Sequence, residues 1–324
     1  MSEHDPAAQG ERQDRTYETR QMRTRITPLV DGRFRWTRQR LAGGLDTPPG
    51  QVTAGAGTSP YVLLGTRSAD TVTYLVPGGR TLAEIVWPPD RFNGSSELAT
   101  SALRSTGRAL RDLAACPAPF PGTPAPPPAL TRLTRWLDGE GTEEGAVRLH
   151  KLCRSGLGAI RMRVLRDWCR APAGHRERQV LLHGEPSLGL IVPVPDEPHA
   201  VLLTGETLSQ GPPEFDVGWL LGELAEMADV ARRHALTDGQ GRPPRFDAMA
   251  TALMAQRGPL PDLALLRRVA TLRRLAHVVD FATYVGWNPG VEAYVEALAG
   301  LVDGDGRPAL TAILGDGSGS AADG

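Results

Sequence analysis

Residues 180–218 read VLLHGEPSLGLIVPVPDEPHAVLLTGETLSQGPPEFDVG. Two apolar runs, 180–182 and 200–203, flank a turn that opens His183-Gly184-Glu185-Pro186, and a Gly-Pro-Pro segment leads from the second run into a helical pattern. Apolar runs of strand length bounded by Gly and Pro predict buried strands, and polar residues just past strand ends are where sites are built. His183, Glu185, Thr204, Glu206 and Asp216 occupy such places and are the first candidate site residues.

Upstream, the signals are β. Arg33-Phe34-Arg35-Trp36 alternates, and Tyr61-Val62-Leu63-Leu64 and Thr71-Val72-Thr73-Tyr74-Leu75-Val76 are rich in strand formers, with Gly and Pro between them. A Gly-rich connection, Val76-Pro77-Gly78-Gly79-Arg80-Thr81-Leu82, follows. Helices are predicted over 96–115, 142–170, 215–236, 245–256, 262–285 and 290–302 from apolar residues at helical spacing, with Pro259, Pro261 and Pro289 marking boundaries. The fold class is therefore α+β, a small β-rich unit before a mainly helical one. Residues 1–25 are polar and nearly free of aliphatic side chains, and 304–324 are rich in Gly, Asp and Ser, so both are expected to be flexible tails. The seven prolines of 116–128 predict an extended linker. Gly55-Ala56-Gly57-Thr58 is too short a glycine pattern, with no Lys after it, to predict a phosphate loop.

Composition excludes several classes. The 324 residues carry a net charge of −1, which gives no global polybasic signal for nucleic acid or a membrane surface. No apolar run approaches the roughly 20 residues that span a bilayer, and the N-terminal stretch lacks a signal-peptide core, so a cytoplasmic protein is expected. Cys116, Cys153 and Cys169 have no CxxC spacing and suit free thiols. Arg148, Arg154, Arg161, Arg163 and Arg166 make the 142–170 helix basic, either as a solvated face or as a surface for an acidic leader peptide.

The 180–218 stretch resembles the catalytic segment of the aminoglycoside phosphotransferase and choline kinase families, a branch of the protein-kinase-like fold. There, a His-Gly-Asp is followed by an Asn five residues after the Asp, then by Ile-Asp-x-Glu and Gly-Asp-Pro-x-x-Asp-Leu-Ala. The matching residues here are His183-Gly184-Glu185, Leu190, Leu203-Thr204-Gly205-Glu206 and Gly211-Pro212-Pro213-Glu214-Phe215-Asp216-Val217-Gly218. The resemblance implies a two-lobed protein-kinase-like fold: a reduced N-lobe over 26–80 ending in the 76–82 hinge, and a helical C-lobe over 81–303. In intact relatives adenine lies against that hinge.

The frame is kept and the chemistry is changed. Phosphoryl transfer depends on a carboxylate that orients the attacking hydroxyl and on metal held by an Asn and an Asp. Glu185 keeps the base carboxylate, Leu190 stands where the Asn would be, and Thr204 replaces the bridging Asp. A Leu offers no oxygen, and a hydroxyl is a poor exchange for a carboxylate toward a hard cation. The only lysine, Lys151, lies on a predicted C-lobe helix, so a phosphate-binding cation would have to be an arginine such as Arg33, Arg35, Arg38 or Arg40. No metal, no cofactor and no ordinary ATP–Mg²⁺ site are expected. Asp216 matches a fold-supporting Asp at a helix start, and His183 matches a loop-bracing His that also titrates near neutrality.

Degraded kinase-like chains of this kind are similar to proteins of thioamitide and class V lanthipeptide biosynthesis. The resemblance implies a precursor peptide as partner, together with another biosynthetic enzyme subunit, and no nucleic acid or membrane. Two roles follow: a subunit that holds the peptide, or a cyclase joining a Cys thiol to a dehydroamino acid. The cyclase needs a base, enolate donors and an acid. Glu185 or His183 would serve as base, Arg176 and Arg178 as donors, and Thr204 and Glu206 on the substrate side. The alternative is an active phosphotransferase with Glu185 as base and Glu206 as a displaced metal ligand.

Overall fold

The computed structural model describes residues 13–41, 59–87, 96–116, 126–174, 176–238 and 241–315. The Gly55–Thr58 motif, most of the proline-rich linker and the extreme ends of both tails lie outside the described residues.

Six strands precede the hinge: β1 (Arg15–Glu18), β2 (Met22–Pro28), β3 (Phe34–Arg40), β4 (Val62–Leu64), β5 (Thr66–Ser68) and β6 (Thr71–Val76). Five of them form an antiparallel sheet in the order β1-β2-β3-β6-β5. Period-two alternation turns Ile26, Phe34, Trp36, Val72, Tyr74 and Val76 inward and leaves Arg23, Arg25 and Arg35 on the outer face. Two expectations are corrected. β1 and the start of β2 lie inside 1–25, which composition assigned to a tail. Their order comes from the strand ladder, from the Arg23–Glu18 and Arg25–Asp14 ion pairs and from Tyr17, whose hydroxyl donates to Glu84 at 2.5 Å. β4, expected in the upper sheet, pairs instead across the lobes.

The larger lobe begins with α1 (Leu82–Val86), which opens on a reciprocal cap: the Glu84 amide donates to Thr81 Oγ1 at 3.1 Å and the Thr81 amide to Glu84 Oε2 at 2.8 Å. Four helices follow: α2 (Ser96–Ala114), α3 (Pro128–Leu137), α4 (Glu144–Gly156) and α5 (Gly158–Gly174). Next come the short strands β7 (Val180–Leu182), β8 (Ile191–Pro193), β9 (Ala200–Thr204) and β10 (Ser209–Gly211). The chain ends in α6 (Glu214–Arg233), α7 (Phe246–Arg257), α8 (Leu263–Asp280) with a π-helical turn over Phe281–Val285, α9 (Val291–Asp303) and α10 (Pro308–Leu314).

The single helix expected over 142–170 is two helices. Leu157 ends α4, and Gly158, at φ +75°, adopts a left-handed conformation that glycine takes without strain. The break shifts the helical phase, so Ile160, expected to be buried, is 79 % exposed. The basic face of these helices is largely engaged within the chain. Arg161 forks onto Asp303, Arg166 pairs with Asp138, and Arg148 stacks on Trp287. α10 lies within the expected C-terminal tail; Ala309, Leu310 and Ile313 bury its apolar side. No helix among the described residues is long and apolar enough to cross a membrane.

α6 is the axis of this lobe. It approaches α8 so closely at Gly218 and Gly222 that a Cβ at Gly222 would lie 2.5 Å from the Ala270 carbonyl oxygen, and one at Gly218 2.6 Å from that of Leu266. Both obstacles are backbone and cannot rotate away. Gly222→Val is therefore expected to cost about 3 kcal/mol or more, the upper range for overpacking, read as a lower denaturation midpoint in urea. Burial pushes the Cys153 and Cys169 thiols up to about 12. Since the thiolate is the reactive form, a thiol reagent at neutral pH should label neither in the native protein and both after denaturation.

Candidate functional site

The loop after β7 is held from beneath by one carboxylate. Asp216, on the first turn of α6 and 3 % exposed, accepts the His183 amide at 2.7 Å and the Gly184 amide at 2.9 Å. Burial raises its pKa, against the pull of His183 and the two amides. Gly184 has φ +94°, and a Cβ there would lie 1.9 Å from the Thr207 carbonyl oxygen, so no other residue fits. The Thr207 hydroxyl closes the loop by donating to the His183 carbonyl at 3.0 Å.

His183 is 2 % exposed, with Nε2 2.8 Å from the Leu203 carbonyl oxygen and Nδ1 3.4 Å from the Glu185 amide. These neighbours make Nε2 the donor to Leu203 and Nδ1 the acceptor from the Glu185 amide. Neither nitrogen is left for a ligand. The imidazole braces β9 against the loop.

Glu185 also has an internal partner, and sequence spacing gave no sign of it. Arg132 of α3 forks onto both carboxylate oxygens, with Nη1–Oε1 at 2.6 Å and Nη2–Oε2 at 2.8 Å. Both side chains are mostly buried, and the guanidinium lies 3.7 Å from Asp280 at the end of α8. Burial opposes the charge on Arg132, but Glu185 and Asp280 together hold its pKa above the usual value; Asp280 is raised by its own burial.

The turn after β9 is fastened to the upper lobe. Thr204 is 1 % exposed, and its hydroxyl donates to the Leu202 carbonyl at 3.1 Å. The Thr204 carbonyl accepts the Gly65 amide at 3.0 Å, and the Gly205 carbonyl accepts Arg67 at 3.3 Å. Glu206 reaches into the sheet, where Arg38 Nε lies 2.6 Å away and the Tyr74 hydroxyl donates at 2.9 Å. Leu190 is buried and supplies no oxygen.

Arg178 does not join this group. It pairs with the fully buried Glu214 at the start of α6 and lies 3.9 Å from Asp262, clamping two helix starts together. Arg176 belongs to the same short 3-10 turn, Arg176–Arg178, and its side chain lies outside the described residues.

At the hinge, the Trp36 indole donates to the Gly78 carbonyl at 3.2 Å, and Arg15 donates to the Gly79 carbonyl. Trp36 is 1 % exposed and Phe34 packs against Gly79, so β3 fills the face of the linker with its own aromatic rings.

Two partners on one buried pair make a testable unit. Arg132→Met alone strands the Glu185 carboxylate and is expected to cost about 3 kcal/mol, whereas the Arg132→Met/Glu185→Leu double variant should recover most of that loss. Urea unfolding of the single and double variants checks it.

No protein-family model and no curated protein matches the chain. Solved structures do. An ethanolamine kinase from Plasmodium vivax aligns over 90 % of this chain and 81 % of its own, with TM-score 0.51 and 10 % identity. An amicoumacin kinase solved with AMP-PNP and Ca²⁺ aligns over 93 % and 89 %, with TM-score 0.51 and 11 % identity. Identities this low speak to the fold alone. With its small antiparallel N-lobe, hinge and helical C-lobe, the chain has the two-lobed kinase-like fold that the His183–Gly218 resemblance implied.

Proposed function

We propose that this chain is a kinase-fold protein that does not transfer phosphate, and that it serves as a peptide-holding partner subunit in the biosynthesis of ribosomally made, modified peptides. The observation that carries the first part is the turn Thr204-Gly205-Glu206, where a kinase would grip its metal. The Thr204 hydroxyl, the Thr204 and Gly205 carbonyls and Oε1 of Glu206 all have partners inside the protein. A hard cation asks for several free oxygens at once.

Two further features support the same reading. The base-position carboxylate is held by a bidentate guanidinium, and the hinge carbonyls accept donors from the protein itself. Charge-assisted forks are among the strongest hydrogen-bonded pairs, so a substrate hydroxyl competes poorly for Glu185.

The same engagement weighs on the choice between cyclase and partner subunit. A cyclase needs a base with a free lone pair near the thiol. His183 is buried with both nitrogens used, and Glu185 is paired. The partner role requires neither group to be free. The peptide partner itself rests on the likeness to degraded kinase-like chains of thioamitide and class V lanthipeptide pathways.

Calorimetric titration with ATP and Mg²⁺ tests the proposal. The expected outcome is no magnesium-dependent heat and no ATP consumption in the presence of candidate peptides or aminosugars. Magnesium-dependent binding that is lost in Glu206→Gln would reinstate the phosphotransferase alternative.

A further inference from the structure

A cavity of about 460 Å³ lies between α1, α6 and α8, with apolar walls made by Ala83 and Trp87 on one side and Met227 and Val230 on another. One histidine stands in this lining with a nitrogen to spare. His277 of α8 is half exposed; its Nδ1 lies 2.6 Å from Glu226 Oε1, and its Nε2 has no hydrogen-bond partner among the described residues. Glu226 is 8 % exposed and held from behind, since the Tyr294 hydroxyl of α9 lies 3.0 Å from the same oxygen and 2.8 Å from the Arg274 carbonyl. Burial raises the Glu226 pKa, but His277, Arg273 and Tyr294 outweigh it and hold the carboxyl below its ordinary value. An ionised carboxylate only accepts, so Nδ1 donates to it, and in the neutral ring Nε2 keeps the lone pair.

A nitrogen base oriented by a buried carboxylate is the arrangement that activates a nucleophile. The cavity supplies none of its own: among the described residues its lining holds no Ser, Thr, Cys, Lys or Tyr. The acidic X–H bond must therefore arrive with a ligand. Free imidazole and free thiol titrate at about 6.5 and about 8.5, near enough for a proton to pass between them, whereas an alkyl hydroxyl holds its proton far more tightly. A polarisable sulfur also suits the Met227 and Trp87 walls. The charged groups around the ring are Glu223 and Glu226 of α6, Arg273 and Asp280 of α8, and Glu84 across the cavity. Arg273, 3.6 Å from Glu223, offers a thiolate a cation, while the carboxylates disfavour a ligand that carries an acid of its own.

We propose that this cavity is a thiol-activating site, in which His277 Nε2 takes the proton of a neutral or cationic thiol and Glu226 positions the ring. With an electron-poor alkene as co-reactant, the steps balance. The S–H bond breaks as its proton passes to Nε2, and a sulfur electron pair forms the S–C bond at the terminal alkene carbon. The C=C pair moves toward the activating carbonyl oxygen, and the imidazolium returns the proton to the adjacent carbon. The loop after β7 has no base with a free lone pair; this cavity has one. The site goes beyond the proposed function and does not rest on it, because any small thiol serves as a probe.

The test is multiple-turnover addition of cysteamine or 3-mercaptopropionate to acrylamide by the full chain without nucleotide, each rate divided by that of the same thiol in buffer. Reaction of the protein's own Cys116 consumes reagent once and does not turn over. The proteins are the wild type, His277→Gln, Glu226→Gln, and His199→Gln as a control, since His199 pairs with Glu197 outside the cavity lining. Melting curves verify that each variant is folded. The wild type and His199→Gln should accelerate cysteamine addition alike, 3-mercaptopropionate less, and His277→Gln should lose about tenfold or more of the acceleration. In Glu226→Gln the acid limb of the pH–rate profile should move to lower pH, because the imidazolium loses its carboxylate; a merely structural role would leave the limb in place. No acceleration by the wild type, a folded His277→Gln as fast as the wild type, or an equal loss in His199→Gln would overturn the site. Magnesium-dependent ATP binding would count against the proposed function and leave these rates standing; absent acceleration would do the opposite.

Discussion

A parallel strand pair joins the two lobes. β4 comes from the chain before the hinge and β9 from the chain after the catalytic-type loop, yet Val62 pairs with Leu202, Leu63 with Leu203 and Leu64 with Thr204. Two backbone bonds extend the ladder, Leu202 to Tyr61 at 2.8 Å and Gly65 to Thr204 at 3.0 Å. β9 is buried at every position. Opening the cleft would leave backbone donors and acceptors unpaired in an apolar setting, where each orphan costs about 1–3 kcal/mol. Glu206 adds a side-chain fastening at the same place, through Arg38 and Tyr74.

The loop after β7 has parts that set its backbone geometry and parts whose side chains reach other elements. Asp216 and Gly184 hold a conformation that depends on two amide bonds and one positive φ, and neither depends on what fills the cleft. Glu185 and Arg132 are a different case. A buried ion pair contributes little net stability because desolvation offsets most of the Coulomb attraction, but removing one partner is costly. Such a pair, once present, resists piecemeal reversal toward a free carboxylate.

Much of the fold was legible because it is written in local patterns. The helix expected over 96–115 is observed as Ser96–Ala114, and those expected over 215–236 and 245–256 as Glu214–Arg233 and Phe246–Arg257. At β1 and β4 tertiary pairing overrode local composition, whereas the split of the 142–170 helix is a local break at Gly158. β1 is too polar to predict as ordered; its ladder, the Arg23–Glu18 ion pair and its contacts with Glu84 and Gly79 hold it. β4 reads as an ordinary upper-lobe strand, and nothing in four residues states that its partner lies about 140 positions later. The site divides in the same way. His183, Leu190, Thr204 and Asp216 lie in one contiguous motif. Arg132, Trp36, Arg38 and Tyr74, which determine what the motif can do, are contributed by distant elements and carry no spacing signal.

The longer acid at the base position shows how a single residue ties these levels together. Glu185 places its oxygens 2.6 and 2.8 Å from the two terminal nitrogens of Arg132. Removing one methylene would draw the carboxylate back by about 1.5 Å, one carbon–carbon bond, and take both contacts beyond hydrogen-bonding range. The fork therefore needs Glu rather than Asp, and the substitution that looks conservative in the sequence is what lets the loop reach α3. With Glu185 paired to α3, the Thr204–Glu206 turn fastened to the upper sheet and the Gly78 carbonyl bonded to Trp36, these polar groups hold the lobes in one arrangement.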